Sequence, residues 1–305
     1  MGSSRLPAQG TIPGGGGGCV VGCTRGRAVG GPVCPARTRP DADLLSDFST
    51  RAFTWDGKTR TVYEKGDGPA VLVMHEVPGI TPEVADFARR VADEGYRVSM
   101  PTLFGVPGAP FSMGATAREL VRACISREFH VLALRRQSPI TDWLRALLRD
   151  LHARHGGRGV GAIGMCLTGN FALALMVEPA LMAPVLSQPS LPFGCSPWHR
   201  RDLHIDDEVL AVVKQRARTD CPVLGLRFRS DPMVPGARFE RLHEELGDGF
   251  MDVTLDLRGH PTTAPVPHSV VTTELREDLP DHPTNRALQA VLELFARQLL
   301  PTLES

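Results

Sequence analysis

The sequence predicts an α/β fold in which a mostly parallel central sheet is flanked by helices on both faces. Short apolar runs, typical of strands that are buried on both sides, alternate along the chain with longer segments of helical periodicity. A chain that alternates in this way joins neighbouring parallel strands through crossover helices. A third observation is a corner at 164–169 that begins and ends with glycine and connects one apolar run to the helical segment after it.

The first elements are a hairpin and a strand–helix–strand unit. Asp56-Gly57 lies between two β-prone segments and is a signal for a hairpin turn. The apolar run at 70–74 predicts a buried strand, and Gly95 ends the amphipathic helix that follows it. We expect these elements at residues 52–55, 60–63, 70–74, 82–94 and 97–100.

The second half of the chain repeats the alternation. A helix with leucine residues at helical spacing is stopped by Gly156-Gly157 and precedes the apolar run at 160–165. We expect further helices at residues 141–155, 170–177 and 285–300, and further strands at residues 183–186, 223–226 and 251–255.

The N-terminal segment has a different composition. Residues 1–46 contain a run of glycine at 14–18 and many Pro, Arg and Ser residues without apolar periodicity, so we expect a disordered tail. The glycine run is not a phosphate-binding loop, because no Gly-Lys-Ser/Thr follows it. The folded domain is therefore expected to cover residues 47–305.

Composition restricts the class of partner. The chain has 305 residues, of which 42% are hydrophobic and 22% are charged, as in an ordinary soluble globular protein. Lys plus Arg equals Asp plus Glu at 34 each, so no net field recruits nucleic acid or an anionic membrane. No apolar stretch approaches the roughly 18 to 20 residues of a membrane span. We expect a small-molecule substrate, with no nucleic-acid or membrane partner.

The seven cysteine residues indicate the compartment. They form neither an even disulfide framework nor a metal-binding spacing, so no metal site is expected. Free thiols persist in a reducing environment, and the N-terminus lacks the apolar core of a signal peptide. The sequence therefore predicts a cytoplasmic protein.

Cys166 is the candidate nucleophile. It stands in the corner directly after the apolar run, where a side chain projects from a tight turn and the following helix offers N–H groups that favour a thiolate. α/β-Hydrolases keep their nucleophile at a strand-to-helix corner of this kind. The alternative is that Cys166 only fills space in the core, since free cysteine is among the most buried residue types. An acidic residue and a histidine further along the chain favour the catalytic interpretation.

A dinucleotide-binding interpretation fails on context. Residues 159–164 match the pattern Gly-x-Gly-x-x-Gly. That fingerprint must follow a strand and open a helix, whereas here the glycines lie inside the expected strand and a helix precedes them.

Asp231 and His268 are the candidate acid and base. Asp231 lies just past the expected strand at 223–226, where a carboxylate can point along the sheet edge toward a histidine. Taken alone it is explained by an Asp-Pro turn, but its place between Cys166 and the histidines favours the catalytic interpretation. His268 follows the last expected strand and precedes the closing helix. His260 is the rival for the same role, but Pro261 would stiffen its approach.

Five motifs, taken in order, resemble the dienelactone hydrolase family over about residues 48–300. They are His75-Glu76-Val77-Pro78-Gly79-Ile80, Pro101-Thr102-Leu103-Phe104-Gly105, Gly164-Met165-Cys166-Leu167-Thr168-Gly169, Ser230-Asp231-Pro232-Met233-Val234-Pro235 and His268-Ser269. The resemblance implies an α/β-hydrolase fold and hydrolysis of a carboxylic ester or lactone through an acyl-enzyme intermediate. It also implies the site: Cys166 as nucleophile, His268 as base, Asp231 as its orienter, Glu76 as the acid that contacts the resting thiol, and the N–H groups of Val77 and Leu167 as the oxyanion hole.

The sequence departs from the family pattern at two places. Thr168 stands where the family elbow usually has glycine. The arginines that hold the substrate carboxylate in dienelactone hydrolases have no match here, and Thr272 stands four residues after His268. Dienelactone itself is therefore not the expected substrate.

Two long connections suggest a cap. Residues 105–140 and 187–220 are longer than the compact family core requires, so we expect a small cap over the site. Gln188 and Ser190 are expected to line the site as substrate-binding residues. No cofactor is implied, and the sequence makes no prediction of the oligomeric state. Two alternatives to the ester hydrolase remain open: a thioesterase or acyl transferase that uses the same residues, and a ligand-binding protein that kept the fold and lost turnover.

Overall fold

A computed structural model describes residues 44–112, 114–116, 118–119, 138–194 and 196–301. Within these ranges the chain forms one eight-stranded sheet in the order β1-β2-β4-β3-β5-β6-β7-β8. The strands are β1 (Ser49–Trp55), β2 (Lys58–Lys65), β3 (Ala70–Met74), β4 (Arg97–Pro101), β5 (Val160–Met165), β6 (Leu181–Ser187), β7 (Val223–Phe228) and β8 (Phe250–Leu255). The helices are α1 (Pro82–Asp93), α2 (Pro139–His155), α3 (Phe171–Ala174), α4 (Pro197–Arg201), α5 (Asp207–Thr219), α6 (Gly236–Leu246) and α7 (Pro283–Leu299).

The sheet is mostly parallel, as the sequence predicts. The hairpin β1–β2 and the pair β2–β4 are antiparallel, and every other neighbouring pair is parallel. Strands β3, β5 and β7 are buried along their whole length because helices cover both faces. One face packs against α1 and α7, and the other packs against α2, α5 and α6. The predicted α/β architecture is confirmed.

The expected helix at 170–177 is wrong as a continuous element. A 3-10 turn, Cys166–Thr168, precedes the single α-turn of α3, and a second 3-10 turn, Leu175–Val177, follows it. The guanidinium of Arg145, on α2, donates to the carbonyl of Ala174 at 2.9 Å. In a continued α-helix the N–H of Glu178 would donate to that carbonyl, but it donates to the carbonyl of Leu175. The Ala174 carbonyl is thus removed from the α-helical ladder, which ends there.

The expected cap is wrong for residues 207–219. These residues form α5, whose apolar side chains Val209, Val213 and Ala217 belong to the core beside the sheet. Asp206 caps its first turn by accepting from the N–H of Val209 at 2.7 Å. The second half of the connection 187–220 is therefore a core helix and not part of a cap. Residues 120–137 of the other long connection lie outside the described residues.

The described chain begins with a turn that belongs to the domain. Leu45 packs against the core, and the guanidinium of Arg89, on α1, bonds to the carbonyl of Leu44 and to the carboxylate of Asp47. The predicted disordered tail over residues 1–46 otherwise lies outside the described residues. Among the described helices, none is both long and apolar enough to cross a membrane.

Candidate active site

Cys166 occupies a strained elbow at the carboxyl end of β5. Its φ of 54° lies in the left-handed region, which typically costs a non-glycine residue about 1–3 kcal/mol. The elbow closes only because two of its residues are glycine. A Cβ on Gly164 would lie 2.1 Å from the carbonyl oxygen of Thr168, and one on Gly169 would lie 2.5 Å from the Cα of Pro189. The glycine spacing of the motif is therefore a steric requirement of the turn.

Thr168 is part of the turn's hydrogen bonding. Its buried hydroxyl accepts from the N–H of Met165 at 2.9 Å and donates to the carbonyl of Met74 at 2.8 Å. The hydroxyl thus ties the elbow after β5 to the end of β3. A glycine at this position could make neither bond, so the departure from the family pattern adds an anchor to the elbow.

We expect Thr168→Val to lower the free energy of unfolding by about 1–3 kcal/mol, because the isosteric side chain leaves the buried Met165 N–H and Met74 carbonyl without that partner. Thr168→Ser is the matched control, since it keeps the hydroxyl, and it should retain most of the stability. Urea unfolding of both variants measures the difference. An unchanged stability in Thr168→Val would show that the hydrogen bonds of the hydroxyl contribute nothing to the elbow.

His268 and Asp231 are hydrogen-bonded. The Nδ1–H of His268 donates to Oδ2 of Asp231 at 2.6 Å, and Oδ1 of Asp231 accepts from the N–H of Met233 at 2.9 Å. The carboxylate is buried, with 1% of its side chain exposed. Asp231 is therefore fixed at both oxygens, and it fixes the imidazole in turn.

The other nitrogen of His268 lies on the side of Cys166. Burial lowers the pKa of His268, but the neighbouring Cys166 and Asp231 raise it through charge and hydrogen bonding, and the resulting pKa lies well above 6.5. The buried Nε2 has no hydrogen-bond partner of standard geometry among the described residues. The imidazole therefore lies between the Asp231 carboxylate and Cys166.

His260 lies outside this arrangement. Its side chain is exposed, and its ring packs edge-on against the ring of His282 with centroids 5.5 Å apart. The backbone N–H of His260 closes a turn by donating to the carbonyl of Leu257. Of the two rival histidines, the fold brings His268 to Asp231.

Glu76 is buried and receives three hydrogen bonds from neutral groups. The amide of Gln188 donates to Oε2 at 3.1 Å, the hydroxyl of Ser269 to the same oxygen at 2.6 Å, and the hydroxyl of Thr272 to Oε1 at 2.5 Å. These donors come from the loop after β6 and the loop that carries His268. The carboxylate therefore connects three loops at the sheet edge. The hydroxyl next to the Cys166 sulfur belongs to Ser190, with an Oγ–Sγ distance of 3.2 Å.

Val77 and Leu167 form an apolar wall beside Cys166. Both are buried in one small cluster with Cys166, and the partly buried side chains of Phe104 and Leu191 pack against that cluster. The loop after β3 and the elbow after β5 thus meet beside Cys166, and the assignment of the two N–H groups to an oxyanion hole stays a prediction.

His75 supports this wall and was not identified from the sequence as a site residue. Its Nδ1–H donates to the carbonyl of Glu76 at 3.0 Å, and its Nε2 accepts from the N–H of Leu103 at 3.0 Å. Burial lowers the pKa of His75 to about 4, so the ring is neutral near pH 7. Its edge contacts the ring of Phe104 at 4.5 Å between centroids. His75 therefore fixes the loop after β3 to the loop after β4.

Arg238, on α6, is a second supporting residue that the sequence analysis missed. It is fully buried and donates to four backbone carbonyls of the segment after β6: Pro189 at 2.5 Å, Pro192 at 2.6 Å, Asp202 at 3.0 Å and His199 at 3.1 Å. Burial lowers its pKa to about 10, so it stays charged at neutral pH. Its position on the buried face of an amphipathic helix, beside Phe239 and Leu242, was the available signal.

Glu274 organises the loop that leads to His268. Its buried carboxylate accepts from the backbone N–H groups of Thr263 at 2.7 Å and Ala264 at 3.0 Å. Its own N–H donates to the carbonyl of Ser269 at 3.0 Å. Both ends of the loop are thereby held by one residue. The part of the chain that the structure describes contains no cluster of three or more His, Cys, Asp or Glu side chains that could hold a metal ion.

An open, mostly parallel sheet with a cysteine elbow, a histidine loop and a strand-end carboxylate defines the class of the α/β-hydrolases. A sequence model of the dienelactone hydrolase family matches residues 58–299, and the chain belongs to this family. It is, by that membership, a carboxylic ester hydrolase. A search of curated proteins gives no significant match.

Solved structures with the same fold share little sequence with this chain. A protein of Klebsiella pneumoniae described as a dienelactone hydrolase is 21% identical with a TM-score of 0.54, covering 82% of this chain and 98% of its own. A dienelactone hydrolase-like promiscuous phosphotriesterase from metagenomic libraries is 18% identical with a TM-score of 0.56, covering 83% and 98%. A structure named m3DLH is 18% identical with a TM-score of 0.58, covering 83% and 100%. At these identities the likeness concerns the fold.

Proposed function

We propose that the chain hydrolyses neutral carboxylic esters or lactones through a Cys166–His268–Asp231 triad and an acyl-enzyme intermediate. The observation that carries the proposal is the 2.6 Å bond from His268 to a buried Asp231, with the other side of the imidazole beside Cys166 at a left-handed elbow. A buried structural cysteine would need neither the strained backbone nor the imidazole.

Acylation begins from the thiolate–imidazolium pair. The Sγ of Cys166 attacks the ester carbonyl carbon, and the N–H groups of Val77 and Leu167 stabilise the oxyanion. When the tetrahedral intermediate collapses, the carbon–oxygen bond to the leaving group breaks, and the Nε2–H of His268 gives its proton to the departing alkoxide. The products of this step are an alcohol, a thioester on Cys166 and a neutral imidazole.

Deacylation restores the resting pair. Neutral Nε2 of His268 takes a proton from water, and the oxygen attacks the thioester carbonyl carbon. Collapse of this second intermediate breaks the carbon–sulfur bond and releases a carboxylic acid and the Cys166 thiolate, while the imidazole keeps the proton. Asp231 stabilises the imidazolium and holds its Nδ1–H in one orientation throughout.

The charges around the site favour a neutral substrate. Glu76 receives its hydrogen bonds from an amide and two hydroxyls, and no arginine or lysine among the described residues bonds to it. When this carboxylate is ionised, its charge is solvated by neutral donors and is not cancelled by a cation. A substrate carboxylate brought into the same low-dielectric region would be repelled, and it would find no bidentate guanidinium partner among these residues.

The test is trapping of the acyl group during turnover of an activated neutral ester such as 4-nitrophenyl acetate. We expect acetyl transfer to Cys166, detected by mass spectrometry after acid quench, and loss of turnover in Cys166→Ala. Cys221→Ala is the matched control. Cys221 is fully buried, donates to the carbonyl of Leu181 at 3.3 Å, and has a pKa that burial raises to about 12, so it stays an unreactive thiol.

The same assay tests the substrate class. A 4-nitrophenyl monoester of a dicarboxylic acid should have a kcat/KM at least about tenfold below that of the neutral ester of equal length. Turnover that survives Cys166→Ala would overturn the mechanism. Equal rates for the anionic and neutral esters would overturn only the assignment of the substrate class.

A further inference from the structure

We infer that Ser190 is a further catalytic residue, whose hydroxyl donates a hydrogen bond to the Cys166 thiolate. The inference rests on the proposed function, because it concerns the same nucleophile. The Oγ of Ser190 lies 3.2 Å from the Sγ of Cys166, and the side chain is fully buried. The backbone N–H of Ser190 also donates, at 3.1 Å, to the carbonyl of Cys166. Ser190 thus holds both the backbone and the sulfur of the nucleophile.

The direction of the bond follows from the charge state of the pair. Between a thiol and a hydroxyl either atom can donate, but a thiolate sulfur has no hydrogen and can only accept. The attacking form of Cys166 is the thiolate, so the Ser190 hydroxyl is the donor in the reactive state. The Ser190 hydroxyl makes no other hydrogen bond among the described residues, so its proton is available to the sulfur.

The loop that carries Ser190 is fixed before substrate binds. Arg238 holds the carbonyls of Pro189 and Pro192, one on each side of Ser190. Gln188 adopts a left-handed φ of 36°, and its N–H donates to the carbonyl of Leu226 at 2.8 Å. Because these contacts hold the backbone of the loop, the Ser190 hydroxyl needs little reordering to meet the sulfur. A donor that is already in place is the condition for a strong electrostatic contribution.

The hydroxyl has different effects in the two states of the enzyme. When Cys166 is a thiolate, the hydroxyl stabilises the negative sulfur. In the thioester the sulfur is neutral and a poor acceptor, and the hydroxyl regains its interaction when the thiolate leaves during deacylation. Ser190 therefore extends the pH range of the reactive thiolate downward and assists departure of the sulfur from the second tetrahedral intermediate.

The experiment compares alkylation of Cys166 by iodoacetamide from pH 5 to pH 10 in the wild type and in Ser190→Ala. A hydrogen bond to a charged group typically changes an equilibrium constant by about one to two orders of magnitude. The midpoint of the alkylation profile should therefore move upward by about one to two pH units. Ester turnover at a pH below the new midpoint should fall by about tenfold and recover in part at higher pH. Alanine keeps the backbone N–H bond to Cys166, and Ser190→Gly gives the same readout should the alanine variant not fold.

Ser99→Ala is the control for loss of a buried hydroxyl. Ser99 is fully buried on β4 and bonds to Glu64, away from the nucleophile. We expect its alkylation profile to match the wild type. An unshifted midpoint in Ser190→Ala would overturn the role of Ser190 while leaving the triad intact if Cys166→Ala still abolishes turnover. A shifted midpoint in a protein without ester turnover would support the bond to the sulfur and overturn the proposed function.

Discussion

Replacing His268 with alanine should lower the turnover of a neutral activated ester by about two to four orders of magnitude, the range of general acid–base catalysis within a coupled triad. In the proposed mechanism the imidazole protonates the leaving oxygen and later deprotonates water. The substitution also removes the imidazole whose pKa the neighbouring Cys166 and Asp231 raise, so the reactivity of Cys166 should change with it. The measurement is kcat/KM over pH 6 to 9, with alkylation of Cys166 followed across the same range.

His260→Ala is the matched control for this prediction. His260 lies eight residues earlier in the sequence, has an exposed ring and contacts His282 rather than the triad. Its kcat/KM should stay within about twofold of the wild type, as for a surface substitution. An inactive His260→Ala with an active His268→Ala would reverse the assignment. Retained turnover in both would remove histidine from the mechanism.

The buried strands could be predicted because their burial requires an apolar composition. Residues 70–74 and 160–165 were predicted with the bounds that the structure gives, since a strand covered by helices on both faces must be apolar at every position. The hairpin was predicted from Asp56-Gly57, both of which adopt a left-handed φ. The strand order was not predicted, because apolar runs specify burial and leave the choice of neighbour open.

The helices were harder to predict where tertiary contacts decide their limits. The segment after the elbow has the composition of a helix, yet Arg145, distant in sequence, takes the carbonyl that would continue it. Helix α5 has a polar outer face and a narrow apolar one, and its segment was assigned to a cap. Such a helix is recognised by the surface it packs against more readily than by its own pattern.

The three residues of the proposed triad could be predicted because topology brings them together. Cys166 and Asp231 follow parallel strands, and the carboxyl ends of parallel strands share one edge of a sheet. The partners of Glu76 could not be predicted. Ser269 and Thr272 lie 193 and 196 residues away, and their hydroxyls have no distinctive pattern in the sequence. The same holds for Ser190, whose contact with the sulfur depends on a loop that Arg238 shapes.

Replacing Arg238 with methionine should have the largest effect on stability, lowering the free energy of unfolding by about 3 kcal/mol or more. The guanidinium serves four carbonyls between residues 189 and 202, and each buried acceptor left without a donor costs roughly 1–3 kcal/mol, reduced where water can enter. Methionine fills much of the volume, so the loss reports mainly on the hydrogen bonds. Urea unfolding of the two proteins measures the effect.

Arg241→Met, on the same helix, separates this effect from the general cost of removing an arginine. Arg241 has 24% of its side chain exposed and an i,i+4 ion pair with Glu245 at 3.6 Å, an arrangement worth at most about 0.5–1 kcal/mol. Arg238→Met should also displace the loop that carries Ser190, and the alkylation profile of Cys166 should then move in the same direction as in Ser190→Ala. Equal losses of stability in the two arginine variants would show that the four carbonyl contacts contribute nothing beyond helix propensity. A large loss of stability in Arg238→Met with an unshifted alkylation profile would mean that the loop keeps its position without the guanidinium. The elbow itself would then hold Ser190 in place, through the bond between the Ser190 N–H and the Cys166 carbonyl.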